Sequence, residues 1–187
     1  VIKDKKYKTV LASTYLHREL KREEATFNAL LSKVLKNATK KFSSLLDLSI
    51  YAEKLFGLGF DIGITKRASV QSIVSQVSFL SDRYAGENIC HESMELMLDM
   101  LFEPYASDDS FCKEYVSNQK KNLKDDIESL INDKRAYASV RCLEEMCKGE
   151  QNAIVEIGYT EDLEAINEKN LYSHIIHHSN KFYFFSK

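Results

Sequence analysis

The chain has 187 residues, 44% of them hydrophobic and 29% charged, with a formal net charge of -2. That length suffices for one well-filled core, and the near balance of charge removes the basic excess on which nucleic-acid binding depends. Its apolar runs are only a few residues long, too short for a membrane span or for the apolar core of a signal peptide. Cys90, Cys112, Cys142 and Cys147 show no C-x-x-C spacing, so reduced, mostly buried thiols in a cytoplasmic protein are expected.

In chain order, residues 7–16 read as a strand, and the charged segment 18–24 leads into a helix over 23–36. That helix has Phe27, Leu30, Leu31, Val34 and Leu35 on an apolar face, and read alone it puts Ala29, Ser32, Lys33 and Lys36 on the solvated one. A second helix covers 43–56. Phe60, Ile62 and Ile64 then alternate with Asp61, Gly63 and Thr65, and Ile73, Val77 and Phe79 alternate in the next run, predicting two antiparallel strands joined near Arg67-Ala68. Met94, Met97, Leu98, Leu101 and Phe102 keep a helical period that Glu103-Pro104 ends. Asp108 and Asp109 are expected to cap the following helix, whose stripe is Phe111, Tyr115, Leu123, Ile127, Leu130 and Ile131. A helix over 135–148 stops at Gly149, two more cover 160–163 and 167–178, and an apolar strand closes the chain over 181–185. The expected fold class is α+β, a mixed, largely antiparallel sheet with helices packed on one face.

The stretch Ala29-Leu-Leu-Ser32-Lys33-Val-Leu-Lys36-Asn37-Ala38-Thr39-Lys40-Lys41-Phe42-Ser43 resembles the first catalytic helix of the insulinase/pitrilysin metallopeptidases, roughly H-x-x-E-H-M-L-F-x-G-T-x-x-Y-P. In such a helix two His at i and i+4 share a zinc ion, and the Glu between them is general base toward the metal-bound water. Here those three positions are Ala29, Ser32 and Lys33. Ala29 has no donor atom, Ser32 takes no proton near neutral pH, and an ammonium repels a metal cation.

The resemblance runs on. Where the family carries a glycine turn and an Asn-Ala edge strand, Asp61 and Ile62 stand after Gly57 and Gly59. The segment from Gln119 to Ile127 matches E-x-x-x-x-x-x-E-[IL], which puts Gln119 and Asp126 at the acidic positions and Asp126 where the third zinc ligand would be. The string from Asp133 through Lys134, Tyr137, Ala138, Arg141, Glu144, Glu145, Met146 and Cys147 to Lys148 is similar to a non-catalytic bacterial branch of the family associated with modification of elongation factor P. Lys6-Tyr7-Lys8-Thr9 and the run from Thr160 to Lys169 are similar as well.

The resemblance implies a peptidase-like half-domain over 1–187. The opening Val1-Ile2-Lys3 and the closing apolar strand are read as those of a fragment whose second, similar half lies elsewhere. It also implies an active homologue, or a second copy of this chain, as partner. A peptide or unfolded protein would add as a strand along Phe60, Asp61, Ile62, Gly63 and Ile64. No cofactor is expected. The alternatives are a zinc-dependent metalloendopeptidase with a divergent site and a structural scaffold subunit.

Two further clusters stand out. His174, His177 and His178 place three imidazoles on one helical face, a weak metal candidate against the plainer reading of a polar face. Lys3, Lys5, Lys6 and Lys8, and Lys33, Lys36, Lys40 and Lys41, would draw an acidic ligand if they were not simply solvated. Lys33 differs from the rest. On the resemblance it faces Asp126, so an ion pair from Lys33 to Asp126 or Asp125 is expected to replace zinc as the cross-link between two helices.

Overall fold

The computed structural model describes residues 6–179, so the strand expected over 181–185 lies outside the described residues. Strands β1 (Thr9–Glu19), β2 (Gly59–Arg67) and β3 (Val70–Leu80) form a sheet in the order β1-β3-β2, both pairings antiparallel. The period-2 patterns sort the faces. Gln71, Ile73, Ser75, Val77 and Phe79 are buried, with Leu16 and Ile62 on the same side in register. Leu11, Tyr15, Asp61, Gly63 and Val74 fall on the opposite side by the same alternation. Helices α1 (Arg22–Leu35), α2 (Leu45–Lys54) and α4 (Ile89–Phe102) cover the apolar face, with a one-turn α3 (Asp82–Ala85) before α4.

The rest is helical apart from a small hairpin of β4 (Ala106–Ser107) and β5 (Ser110–Phe111). After it come α5 (Lys113–Ser129), α6 (Lys134–Met146) and α7 (Glu168–Ser179), with 3-10 turns over Leu130–Asn132, Gln151–Ala153 and Thr160–Ala165. Leu30, Leu31, Leu48, Met100, Leu123 and Leu171 join elements distant in sequence in one core. Each such side chain contributes roughly 1.5–3 kcal/mol by leaving water.

Several expectations shift. β1 begins and ends later than 7–16 because its last residues pair with the start of β3, Arg18 with Gln71 and Glu19 with Val70. Asp108 and Asp109 do not cap α5; both have positive φ, 51° and 56°, and make the two-residue turn of the hairpin, a conformation that Asp tolerates. On α4 the buried face is Ile89, Ser93, Leu96, Met97, Met100 and Leu101, while Leu98 and Phe102 are exposed. On α5 Val116 and Leu123 are buried, and Ile131 lies beyond the helix, exposed. The segment after Tyr159 is 3-10 rather than α-helical. None of the four cysteines is buried; Cys142 is exposed and the others are half-buried.

The outer face of α4 stacks Glu92, Glu95, Asp99 and Glu103 at helical spacing. Burial first, and then Glu95, push the Asp99 carboxyl above its ordinary range, with Lys41 opposing. A raised folded-state pKa contributes stability that is complete below the unfolded value, about 3.9, and is lost as pH rises through the folded one. Asp99→Asn should therefore raise the thermal midpoint at neutral pH and give no gain below about pH 4.

Candidate functional site

The helix that resembles a catalytic helix is α1, and it crosses α5. Lys33 Nζ lies 2.6 Å from Asp126 Oδ2, so the expected ion pair is present and Asp126 rather than Asp125 makes it. One helical turn on, Asn37 Oδ1 accepts from Gln119 Nε2 at 3.2 Å, while Asn37 Nδ2 donates to the Lys33 carbonyl at 2.6 Å. Lys33 and Asn37 are four residues apart on α1, and Gln119 and Asp126 are seven apart on α5. Both spacings put the paired side chains on one face. The two helices thus run antiparallel through two polar ties. Asn37 was not singled out in the sequence, though its place four residues after Lys33 marks it.

Ala29 and Ser32 are not on a solvated face. They are 2% and 3% exposed, packed among the core residues of α1, and the Ser32 hydroxyl donates to the Ala29 carbonyl at 2.8 Å. Packing rather than helical period decides this face, since α1 lies against both α5 and β2. For a metal this set is unsuitable. Ala29 offers no donor, Ser32 spends its proton within its own helix, and Asp126 is already matched by an ammonium. The residues do not fit zinc. The ion pair itself, 30% and 57% exposed, stabilises by at most about 1 kcal/mol.

The neighbouring lysines are paired in the same way: Lys36 with Asp61 at 2.6 Å, Lys40 with Glu103 at 3.4 Å and Lys41 with Glu95 at 3.6 Å. The cationic patch around the helix is therefore compensated charge by charge. At the start of the chain, Lys6 and Lys8 lie over the rings of Tyr7 and Tyr84, and Lys3 and Lys5 fall outside the described residues.

β2 is hydrogen-bonded on one side to β3, and among the described strands it forms an edge of the sheet. Phe60, Ile62 and Ile64 point into the core, leaving Asp61 and Gly63 on the opposite side. There a shallow groove of 270 Å³ is lined by Tyr15, Asp61, Gly63, Thr65, Val74 and Gln76. At the far end of the strand Lys66 Nζ donates to the carbonyls of Asn152 and Ile154, both at 2.7 Å, and burial lowers its pKa. This tie holds the 3-10 turn after α6 against the sheet.

His174 is not on a free polar face. Its Nε2 lies 2.8 Å from Asn28 Oδ1 and its ring packs on Phe27. Asn28 Nδ2 in turn donates to Gln71 Oε1 at 2.7 Å, and Gln71 Nε2 to the Glu156 carbonyl at 2.7 Å. The side chains of His177 and His178 lie outside the described residues. Among the described residues no three His, Cys, Asp or Glu side chains are grouped to hold a metal, and no helix is long and apolar enough to cross a membrane.

The similar string over 133–148 forms the N-cap and body of α6. Asp133 accepts from the Arg135 and Ala136 amides, and Arg141 pairs with Glu144 and Glu145. No residue of α6 is buried, and Leu143 and Met146 are well exposed.

No family model matches the chain. It is 27% identical over 174 residues to the "Probable inactive metalloprotease YmfF" of Bacillus subtilis (strain 168), covering 92% of this chain and 41% of that protein. It superposes with a TM-score of 0.85 on a conserved protein from Enterococcus faecalis V583, 24% identical, over 94% of this chain and 42% of that one. A protease from Helicobacter pylori superposes with a TM-score of 0.60 at 10% identity, over 88% of this chain and 37% of that one. The chain thus spans about two fifths of the relatives it matches. In sequence and fold it is metallopeptidase-like.

Proposed function

We propose that this metallopeptidase-like chain is a non-catalytic peptidase homologue that binds peptides or unfolded protein and works beside a catalytically complete homologue or a second copy of itself. The observation that carries the reading is the Lys33–Asp126 pair. It stands where the resemblance would place metal ligands, and it gives α1 and α5 a cross-link that needs no metal. The edge that β2 forms among the described strands supports the binding half of the proposal, since an extended peptide gains main-chain hydrogen bonds by joining such an edge. The setting we propose is cytoplasmic peptide handling. Modification of elongation factor P is the context that the resemblance supplies. The similarity to a protein named a probable inactive metalloprotease favours a non-catalytic member over a working zinc enzyme.

The test is a fluorescein-labelled peptide of alternating valine and threonine, incubated with the purified chain with and without zinc. Saturable binding with the peptide recovered intact is the expected result. Zinc-dependent, chelator-sensitive cleavage would overturn the proposal, and so would absence of binding both alone and with an H-x-x-E-H homologue.

A further inference from the structure

Lys36 belongs to the C-terminal end of α1, on the helix-covered side of the sheet, yet its ammonium pairs at 2.6 Å with Asp61, whose side chain lines the groove on the other side. Ile62, the next residue, is 4% exposed and points back toward the helices. An ion pair that joins the two sides at an edge strand passes around that edge. The Lys36 side chain therefore occupies the space that the nearest residue of an added strand would take.

We infer that Asp61 is a specificity residue for a basic side chain on a peptide bound at the β2 edge, with Lys36 holding that place until the peptide arrives; the inference rests on the peptide-binding reading above. A side chain on an added strand directly opposite Asp61 would lie on the same face, about 4.5–5.5 Å away between Cβ atoms. An incoming Lys or Arg replaces the Lys36 ammonium and keeps the carboxylate paired. An incoming Glu sets two like charges opposite one another. The groove suits a long cationic chain. Gly63 leaves open space beside Asp61, with no atom within 4 Å of where a Cβ would be, and the Tyr15 ring lines the same groove. Arg67, the other charge on this face of β2, stands six residues along. That is about 20 Å of strand, beyond the reach of unscreened repulsion.

Because the Lys36–Asp61 pair is exposed, 44% and 63%, it is cheap to open and does not lock the edge. The experiment compares the valine-threonine peptide carrying a central Lys, Thr or Glu on the full chain, on Asp61→Asn and on Lys36→Met. The Lys peptide should bind the native chain about five- to tenfold more tightly than the Glu peptide. Asp61→Asn should erase that ranking, and Lys36→Met should strengthen binding of the Lys peptide and increase its dependence on salt, because the incoming ammonium then meets an unpaired carboxylate. Equal binding of the three peptides to the native chain overturns this inference while leaving peptide binding intact. So does a ranking that survives in Asp61→Asn. Failure of all three peptides to bind overturns the underlying reading instead. Hydrogen exchange without peptide adds an independent check: amides around Asp61 should exchange faster in Lys36→Met, and unchanged rates contradict a side chain lying over the edge.

Discussion

Gly158→Ala should lower stability by about 2–5 kcal/mol, from left-handed backbone strain and overpacking together. Gly158 has φ +80°, and a Cβ there would stand 2.5 Å from Thr26 Cα and closer still to Thr26 Oγ1. The obstacle includes backbone in the middle of α1, which no rotamer change moves aside. The close approach has a purpose visible in the hydrogen bonds. The Tyr159 amide donates to Thr26 Oγ1 at 3.0 Å, Thr26 Oγ1 donates to Asp162 Oδ2 at 2.6 Å, and Arg22 pairs with Asp162 while lying over the Tyr159 ring. Gly86→Ala is the control. Gly86 has φ +76° but nothing within 4 Å of the added atom, so its cost should be the backbone strain alone, about 1–2 kcal/mol. Urea denaturation of both variants checks this; equal losses would contradict the packing of the 158–162 segment on α1.

Asn28→Leu should cost about 2–4 kcal/mol, although it keeps the branched shape of the side chain and adds apolar surface. Asn28 is 2% exposed and Gln71 1%, and together with His174 and the Glu156 carbonyl they join α1, β3, α7 and the loop after α6. Leucine at position 28 leaves the Gln71 Oε1 buried without its donor and removes the acceptor that His174 uses. Leaving one partner behind costs more than removing both. The double variant Asn28→Leu with Gln71→Leu should therefore be more stable than the sum of the single losses predicts. Additive losses in a double-mutant cycle would mean that the two side chains do not act through one another.

What could be read beforehand followed the physics of local patterns. Alternation over Phe60, Ile62, Ile64 and over Ile73, Val77, Phe79 marks β2 and β3, because a half-buried strand imposes its period directly, and the join read near Arg67-Ala68 falls one residue before the Ala68-Ser69 turn. α1 was placed within a residue at each end for the same reason. The Lys33–Asp126 pair was reachable through the family resemblance, which supplied the crossing of α1 and α5 that periodicity cannot. The burial of Ala29 and Ser32 is not legible, because it depends on packing of α1 against elements that follow later in the chain. Nor was the Asn28–Gln71–His174 chain, since a polar residue on an apolar face carries no local sign of its partner. Asp108 and Asp109 were misassigned because Asp favours both an N-cap and a left-handed turn, and only the short hairpin decides between them. On α4 the helical period admits Leu98 as readily as Leu96 and Met100, and neighbouring packing buries the latter two.

At the crossing of α1 and α5 an ammonium and a carboxylate pair where the resemblance implies a metal centre. A crystal structure of the purified chain grown with excess zinc, with an anomalous difference map at the zinc edge, tests it directly. Lys33 Nζ should remain in contact with Asp126, with no anomalous peak between α1 and α5. A peak within about 2.2 Å of an Asp126 oxygen, with Lys33 displaced, would contradict the account.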